Sequence, residues 1–225
     1  MKKRIFSTTL TLCLTFSLLC TGTGASGSSV KEEAVQALGI LSGSDNLTSQ
    51  VTRAQFAQML VAASIYKDSA EGYGSSLYKD LKGDHWASGY VRLAIEQGWM
   101  TGYVDGTFRP EQAISLEEGC AALLKMLDYD PSTLKGSFPA AQLSKASSLG
   151  LLDDVSAKQG SKLTRQDCVN LFYNLLTAKT GAGTVYGTTL GYSVTNGQVD
   201  YSALVTADTK GPYVAESASL SLPFT

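Results

Sequence analysis

The chain has 225 residues, enough for one ordinary domain with an appendage or for one domain built of repeats. Hydrophobic residues make up 44% and charged residues 17%, which argues against disorder as the dominant state. Eighteen basic residues stand against 20 acidic ones, with no basic block and no basic-aromatic interleaving, which argues against nucleic acid as a partner.

Positions 1–25 have the pattern of a secretory signal. Lys2, Lys3 and Arg4 form a basic start, Ile5 to Leu19 an apolar run, and Thr21-Gly22-Thr23-Gly24-Ala25 a small-residue stretch suited to cleavage near Ala25. The run is too short and wrongly flanked for a spanning helix, so no membrane span is expected in the mature chain. Cys20 closes the run and raises lipidation as an alternative. Ser17-Leu18-Leu19 lacks the small residues expected before a lipidated cysteine, and plain cleavage is the expectation. Removal of the three leading basic residues leaves 15 basic against 20 acidic. An anionic partner would then have to be gripped by a few placed cations, not by bulk charge. Only Cys120 and Cys168 remain, both among apolar helical residues, and they read as small core hydrophobes rather than a disulfide scaffold.

Three short helices are predicted over Glu33–Leu38, Tyr90–Gln97 and Leu143–Leu149 from their apolar spacing. Each runs into a glycine (Gly39, Gly98, Gly150), the residue that tolerates the left-handed conformation ending a helix. Each is followed by a second helix with a recognisable start: Val51-Thr52-Arg53-Ala54-Gln55, Ile114-Ser115-Leu116-Glu117-Glu118 and Leu163-Thr164-Arg165-Gln166-Asp167. An apolar residue precedes Ser or Thr, and an acid or amide stands three residues later. That is a capping box, in which the hydroxyl and the later side chain satisfy each other's backbone amides. Equivalent caps lie 63 and then 49 residues apart, so the copies differ in their loops.

Beyond Ala178 the composition turns to Thr, Tyr, Val and Gly, and Asn196-Gly197 predicts a type I′ hairpin turn. Its register would face Val194 with Val199, Tyr192 with Tyr201, Leu190 with Ala203 and Thr188 with Val205. A lone hairpin is marginal in water, so it should pack on the helical body, pair with another strand or begin a further domain.

The middle copy carries most motif. Tyr78-Lys79-Asp80-Leu81 and His85-Trp86-Ala87 precede its first helix, and Gly102-Tyr103-Val104-Asp105-Gly106-Thr107-Phe108-Arg109-Pro110 lies between its helices. This succession strongly resembles the surface-layer homology (SLH) domain, over about residues 30–179. The outer copies resemble it mainly through Thr52-Arg53-Ala54-Gln55 and Thr164-Arg165-Gln166-Asp167. The resemblance implies a mainly α fold of three SLH-type helix–loop–helix repeats in a pseudo-threefold bundle, followed by a β-hairpin extension. The expected division is a signal peptide (1–25), repeats at 26–66, 77–129 and 137–179, and a β-rich extension at 183–225. It also implies non-covalent anchoring to the bacterial cell wall through an anionic secondary polymer held in grooves between repeats.

Arg53 and Arg165 each follow a cap. A cation there gains nothing from the helix dipole, so its presence in two copies suggests an anion site built from guanidinium and nearby amides. The plainer alternative is a surface ion pair. The middle copy has Leu116 at this place, which reduces the expectation to one or two working grooves. The resemblance adds Asp80, Gly43, Gly102 and, as a minority sugar-stacking role, Trp86. Equally, Asp80 and the glycines suit ordinary turns, and Trp86, Trp99, Phe56 and Tyr90 suit the core. His85 is the only histidine, which excludes a two-histidine zinc site, and it reads as a packing and capping residue. Asp105-Gly106-Thr107 reads as a tight turn presenting Phe108 inward. No catalytic set, metal site or cofactor is expected. The rival expectations are the targeting part of a wall-active hydrolase and a self-associating surface-layer protein.

Overall fold

The computed structural model describes residues 29–41, 46–70 and 78–200. These residues are mainly helical. The elements are α1 (Val30–Ala37), α2 (Arg53–Ala62), α3 (Ser88–Glu96), α4 (Leu116–Met126), α5 (Ala140–Ser148), α6 (Arg165–Thr177) and the short α7 (Tyr186–Thr189). A single 3-10 turn covers Pro131–Thr133, and β1 (Val194–Thr195) pairs antiparallel with β2 (Gln198–Val199).

The helix boundaries follow local chemistry. Thr52, Ser115 and Thr164 are extended residues whose hydroxyls accept the amides of Gln55, Glu118 and Asp167, while those side chains return to the cap amides. Each such cap contributes about 1 kcal/mol. Asp167 is the shortest of the three, yet one of its oxygens accepts both the Thr164 amide (3.0 Å) and hydroxyl (2.6 Å). α1, α3 and α5 stop at Gly39, Gly98 and Gly150, with φ of 70°, 71° and 74°. A side chain there would pay for left-handed backbone, and glycine does not.

The capped helices are joined through the residues just before their caps. The Val51 amide donates to the Leu163 carbonyl (2.9 Å), Leu163 to Ile114 (3.0 Å) and Ile114 to Val51 (3.0 Å), closing a ring of three hydrogen bonds. Just outside the ring, the first amides of α2, α4 and α6 donate to Gln112, Ser161 and Ser49. An isolated helix leaves its first amides without partners; here each neighbouring loop supplies a carbonyl. The three ring residues are buried, and below them Phe56 packs at 5.3 Å on Phe172. Gly119 sits against this cluster, where an added Cβ would lie 2.8 Å from Leu163 Cδ1 and 3.3 Å from Phe56 Cζ. The glycine makes room for Phe56.

The less buried helices pack chiefly on helices other than their own successors. α3 packs on α2, α5 on α4, and α1 on α6. The helix that precedes a cap in sequence therefore covers a capped helix from another copy. Cys120 and Cys168 are free and buried, as expected, and burial holds the Cys120 thiol up at about 12.

The C-terminal part departs from the predicted hairpin. The pairing Val194–Val199 is as expected, with Asn196 and Gly197 both at positive φ. The strands are only two residues long, however, and Thr188 lies in α7 with Leu190 as its cap. Tyr186 explains the difference. It is buried, its amide donates to Ala178 and its hydroxyl to the Ala63 carbonyl at 2.9 Å, which turns the chain onto the helical body before a longer strand can form. Val199 is buried too, and β2 packs on α6. Tyr201, Ala203 and Val205 lie outside the described residues, as does the predicted signal at 1–25.

Candidate binding groove

The junction of α2 with α4 holds a cavity of about 250 Å³, lined by Arg53, the 99–103 segment, Glu118, Ala121, Lys125 and Phe138. Arg53 is buried despite its charge. Its Nε donates to the Phe108 carbonyl (2.9 Å), Nη1 to Glu118 Oε1 (2.8 Å) and Nη2 to the Thr101 carbonyl (2.8 Å). The guanidinium also lies over the rings of Tyr103 (4.8 Å) and Phe108 (4.7 Å). These bonds leave one N–H on each terminal nitrogen for a ligand.

Glu118 is the hub of this junction. One oxygen accepts Arg53 and the Tyr103 hydroxyl (3.0 Å), the other the Ser115 amide (2.9 Å). Burial pushes its carboxyl up, but the Ser115 amide, Arg53 and Tyr103 outweigh it, and the pKa ends below the ordinary glutamate value. Burial raises the Tyr103 phenol, partly offset by Arg53. Gln112 donates to the same hydroxyl at 3.1 Å, so the Tyr103 hydroxyl is held from two sides.

A second cavity, about 130 Å³, lies at the junction of α6 with α2 and is lined by Gly39, Ile40, Leu41, Val51, Gln55, Gln58, Met59 and Arg165. Its parts correspond in sequence to those of the first: Arg165 to Arg53, Gln55 to Glu118, and the Gly39 segment to the Gly98 segment. The neutral Gln55 replaces a carboxylate. At the third junction, of α4 with α6, Leu116 is buried in the arginine position. Asp167 there accepts the amides of Ser156 (2.9 Å) and Ala157 (3.1 Å), and Glu117 accepts the Gly160 amide. Backbone donors from the 156–160 loop take the place of a cation.

Residues 77–118 match the S-layer homology domain family. The matched stretch is the copy that carries most motif. Among curated proteins it is similar to the middle cell wall protein of Brevibacillus brevis, with 28% identity over 72% of this chain and 16% of that protein. It is similar to a cell surface protein of Thermoanaerobacter kivui, with 28% identity over 73% of this chain and 23% of the relative. It also matches a cellulosome-anchoring protein of Acetivibrio thermocellus, with 33% identity over 40% of this chain and 20% of that protein. The chain thus spans less than a quarter of the length of these relatives.

The SLH motif residues divide between the two cavities and their surroundings. Arg53 and Gly102 meet at the first cavity, and Arg165 lines the second. A Cβ on Gly102 would fall 2.1 Å from the Tyr78 ring, so this glycine is required by an aromatic of the same motif. Asp80 does not line the cavity. Its two oxygens accept the amides of Phe108 (2.8 Å) and Arg109 (2.7 Å) and pin the loop that buries Phe108. Trp86 is 52% exposed beside His85 and Tyr90, in neither the core nor the cavity, which corrects its assignment to the core. His85 does cap locally, its Nδ1 accepting the Ala87 amide at 3.2 Å. Gly43 lies outside the described residues.

The helix amides expected to join the arginines in an anion site are already engaged. The Arg53 and Ala54 amides donate to Gln112 and Pro110, and those of Arg165 and Gln166 to Ser49 and Leu47. Any anion at these junctions would therefore meet side chains. The sequence marks Glu118 as a capping residue and Trp99 as core, and it carries no signal for Lys125. A carboxylate has two oxygens and a cap uses one, which is the signal that could have marked Glu118. Among the described residues no group of three or more His, Cys, Asp or Glu could hold a metal ion, and no helix is long and apolar enough to cross a membrane.

Proposed function

We propose that this chain anchors an exported protein non-covalently to the bacterial cell wall by holding an anionic secondary wall polymer in grooves between SLH repeats. The observation that carries the proposal is the cavity at the α2–α4 junction, where a buried arginine keeps an N–H on each terminal nitrogen. Arg53 and Arg165 contact the acidic groups of the polymer, and Gly102 lets a sugar approach the backbone. Gly43 is the matching position in the first copy, Asp80 acts by pinning the loop, and Trp86 offers an exposed ring outside the cavity. The repeats at 26–66, 77–129 and 137–179 form a pseudo-threefold bundle after removal of 1–25. The closed ring through Val51, Ile114 and Leu163 supports that arrangement, and the names of the cell-wall and anchoring relatives support the location.

The test is co-sedimentation of the purified mature chain with wall sacculi before and after chemical removal of the secondary polymer. Binding is expected to vanish with the polymer and to fall about tenfold for Arg165→Ala combined with Arg53→Lys, which keeps charge but loses the guanidinium fork. Equal sedimentation with stripped sacculi overturns the polymer reading.

A second reading has an observation of its own. An endoglucanase of a Bacillus strain is 34% identical over 36% of this chain and 8% of its own length, which fits this segment as the targeting part of a wall-associated hydrolase. Similarity to a surface layer protein of Brevibacillus choshinensis (25% identity over 72% of this chain and 15% of that protein) fits instead a self-associating lattice.

A further inference from the structure

The α2–α4 cavity has a neighbour across Trp99. On the far side lies a larger hollow of about 400 Å³, bounded by the C-terminal ends of α2, α3 and α4 and by α7. Trp99 and Lys125 line both spaces. Trp99 is almost buried and meets Tyr66 at a tilt with the ring centroids 6.2 Å apart, and Tyr66 also lines the second hollow together with Tyr186. Around these rings stand polar groups able to donate to or accept from hydroxyls: Gln97, Asp128 and Thr189. Aromatic walls with a few convergent polar groups are the usual make-up of a site for a small, partly apolar ligand.

The charges differ between the two spaces. Arg53 is compensated by Glu118 at 2.8 Å. Lys125 makes no ion pair or hydrogen bond among the described residues, although its side chain is half-buried between the two hollows. Asp128 adds a carboxylate to the lining of the larger hollow, which disfavours a second acidic group there.

We propose that the two hollows form one groove for two consecutive units of an acidic glycan, with Lys125 as the cation at their junction and the aromatic hollow as a second sugar subsite. The acidic substituent lies on the Arg53–Lys125 side, and the adjoining uncharged sugar rests against Tyr66 and Tyr186. The α7 segment, which follows the SLH-like copies in sequence, thereby contributes directly to the site. This inference rests on the polymer-binding reading.

The probe is wall polysaccharide released from sacculi by mild acid and size-fractionated into single-unit and multi-unit pools, titrated calorimetrically into the full mature chain. The multi-unit pool is expected to bind about tenfold more tightly than the single unit. Lys125→Met keeps the aliphatic stem, removes the charge and should weaken both pools about tenfold. Thr189→Trp, at an exposed position lining the second hollow, should fill that hollow and remove the advantage of the longer pool. Ile65→Asp, 71% exposed, tests the same hollow by charge should the tryptophan disturb folding. Equal affinity of the wild type for both pools, or a length advantage that survives both rim variants, overturns the two-unit groove and leaves anchoring intact. Failure of the wild type to bind either pool overturns the anchoring reading itself.

Discussion

The α2–α4 and α4–α6 junctions share one backbone plan and solve its electrostatics in opposite ways. In both, a first-turn amide donates to the neighbouring loop and a pre-cap residue joins the hydrogen-bonded ring. In both, the acidic capping residue has capacity left after capping. At α2–α4 a buried guanidinium takes it up, and a cavity remains beside the pair. At α4–α6 the Ser156 and Ala157 amides take it up, with Leu116 filling the space of the missing arginine. A carboxylate here can be matched by a charged side chain, whose remaining N–H groups can be shared with a ligand, or by backbone amides, whose single N–H is then used up. The two joints share their backbone bonds and differ in what they expose.

The largest expected effect falls on the ion pair. Glu118→Ala leaves Arg53 buried beside an empty site and should cost about 3–5 kcal/mol in urea unfolding, with Arg53→Met in the same chain recovering part of it. A loss of only about 1 kcal/mol, that of an ordinary cap, would make the two junctions energetically alike. Next is Leu116→Arg, which places a cation where Asp167 is already satisfied. Destabilisation of about 2–3 kcal/mol with no gain in polysaccharide binding is expected. A stable variant with increased sedimentation would instead show that the third junction opens readily.

The smallest effect is acid sensitivity. Burial pushes the Asp167 carboxyl up, but the Thr164 hydroxyl and amide and the Ser156 and Ala157 amides pull it further down, so its folded pKa lies below the unfolded one. Glu118 is depressed as well. The stability both contribute is present above the ordinary carboxylate range and is lost as pH falls through their lower folded values. The urea midpoint should therefore drop as pH falls below about 4.5. Asp167→Asn should flatten part of that slope, and an unchanged slope would remove Asp167 from the account.

Much of this molecule is legible along the chain because its signals close within a few residues. A capping hydroxyl and the side chain three positions on meet in one turn, which is why Thr52, Ser115 and Thr164 mark helix starts without tertiary help. The same holds for the glycine stops, for the Asn196-Gly197 turn that pairs Val194 with Val199, and for the Asp105 turn that sends Phe108 inward. Three similar helix starts are legible in the same way.

Tertiary structure decided the rest, since apolar faces state that a helix is covered and not by what. Nothing in α3 says that it packs on α2 instead of α4, or in α1 that it lies on α6. Arg53 finds Glu118 across 65 residues, Tyr186 reaches Ala63 across 123, and that second contact converts an expected strand into α7. Trp86 carries the same apolar ring as Trp99, and only the packed neighbours leave the first in water and set the second in the wall between two cavities. Local hydrogen bonding wrote the ends of the helices, and long-range burial chose their partners and, with them, the groove.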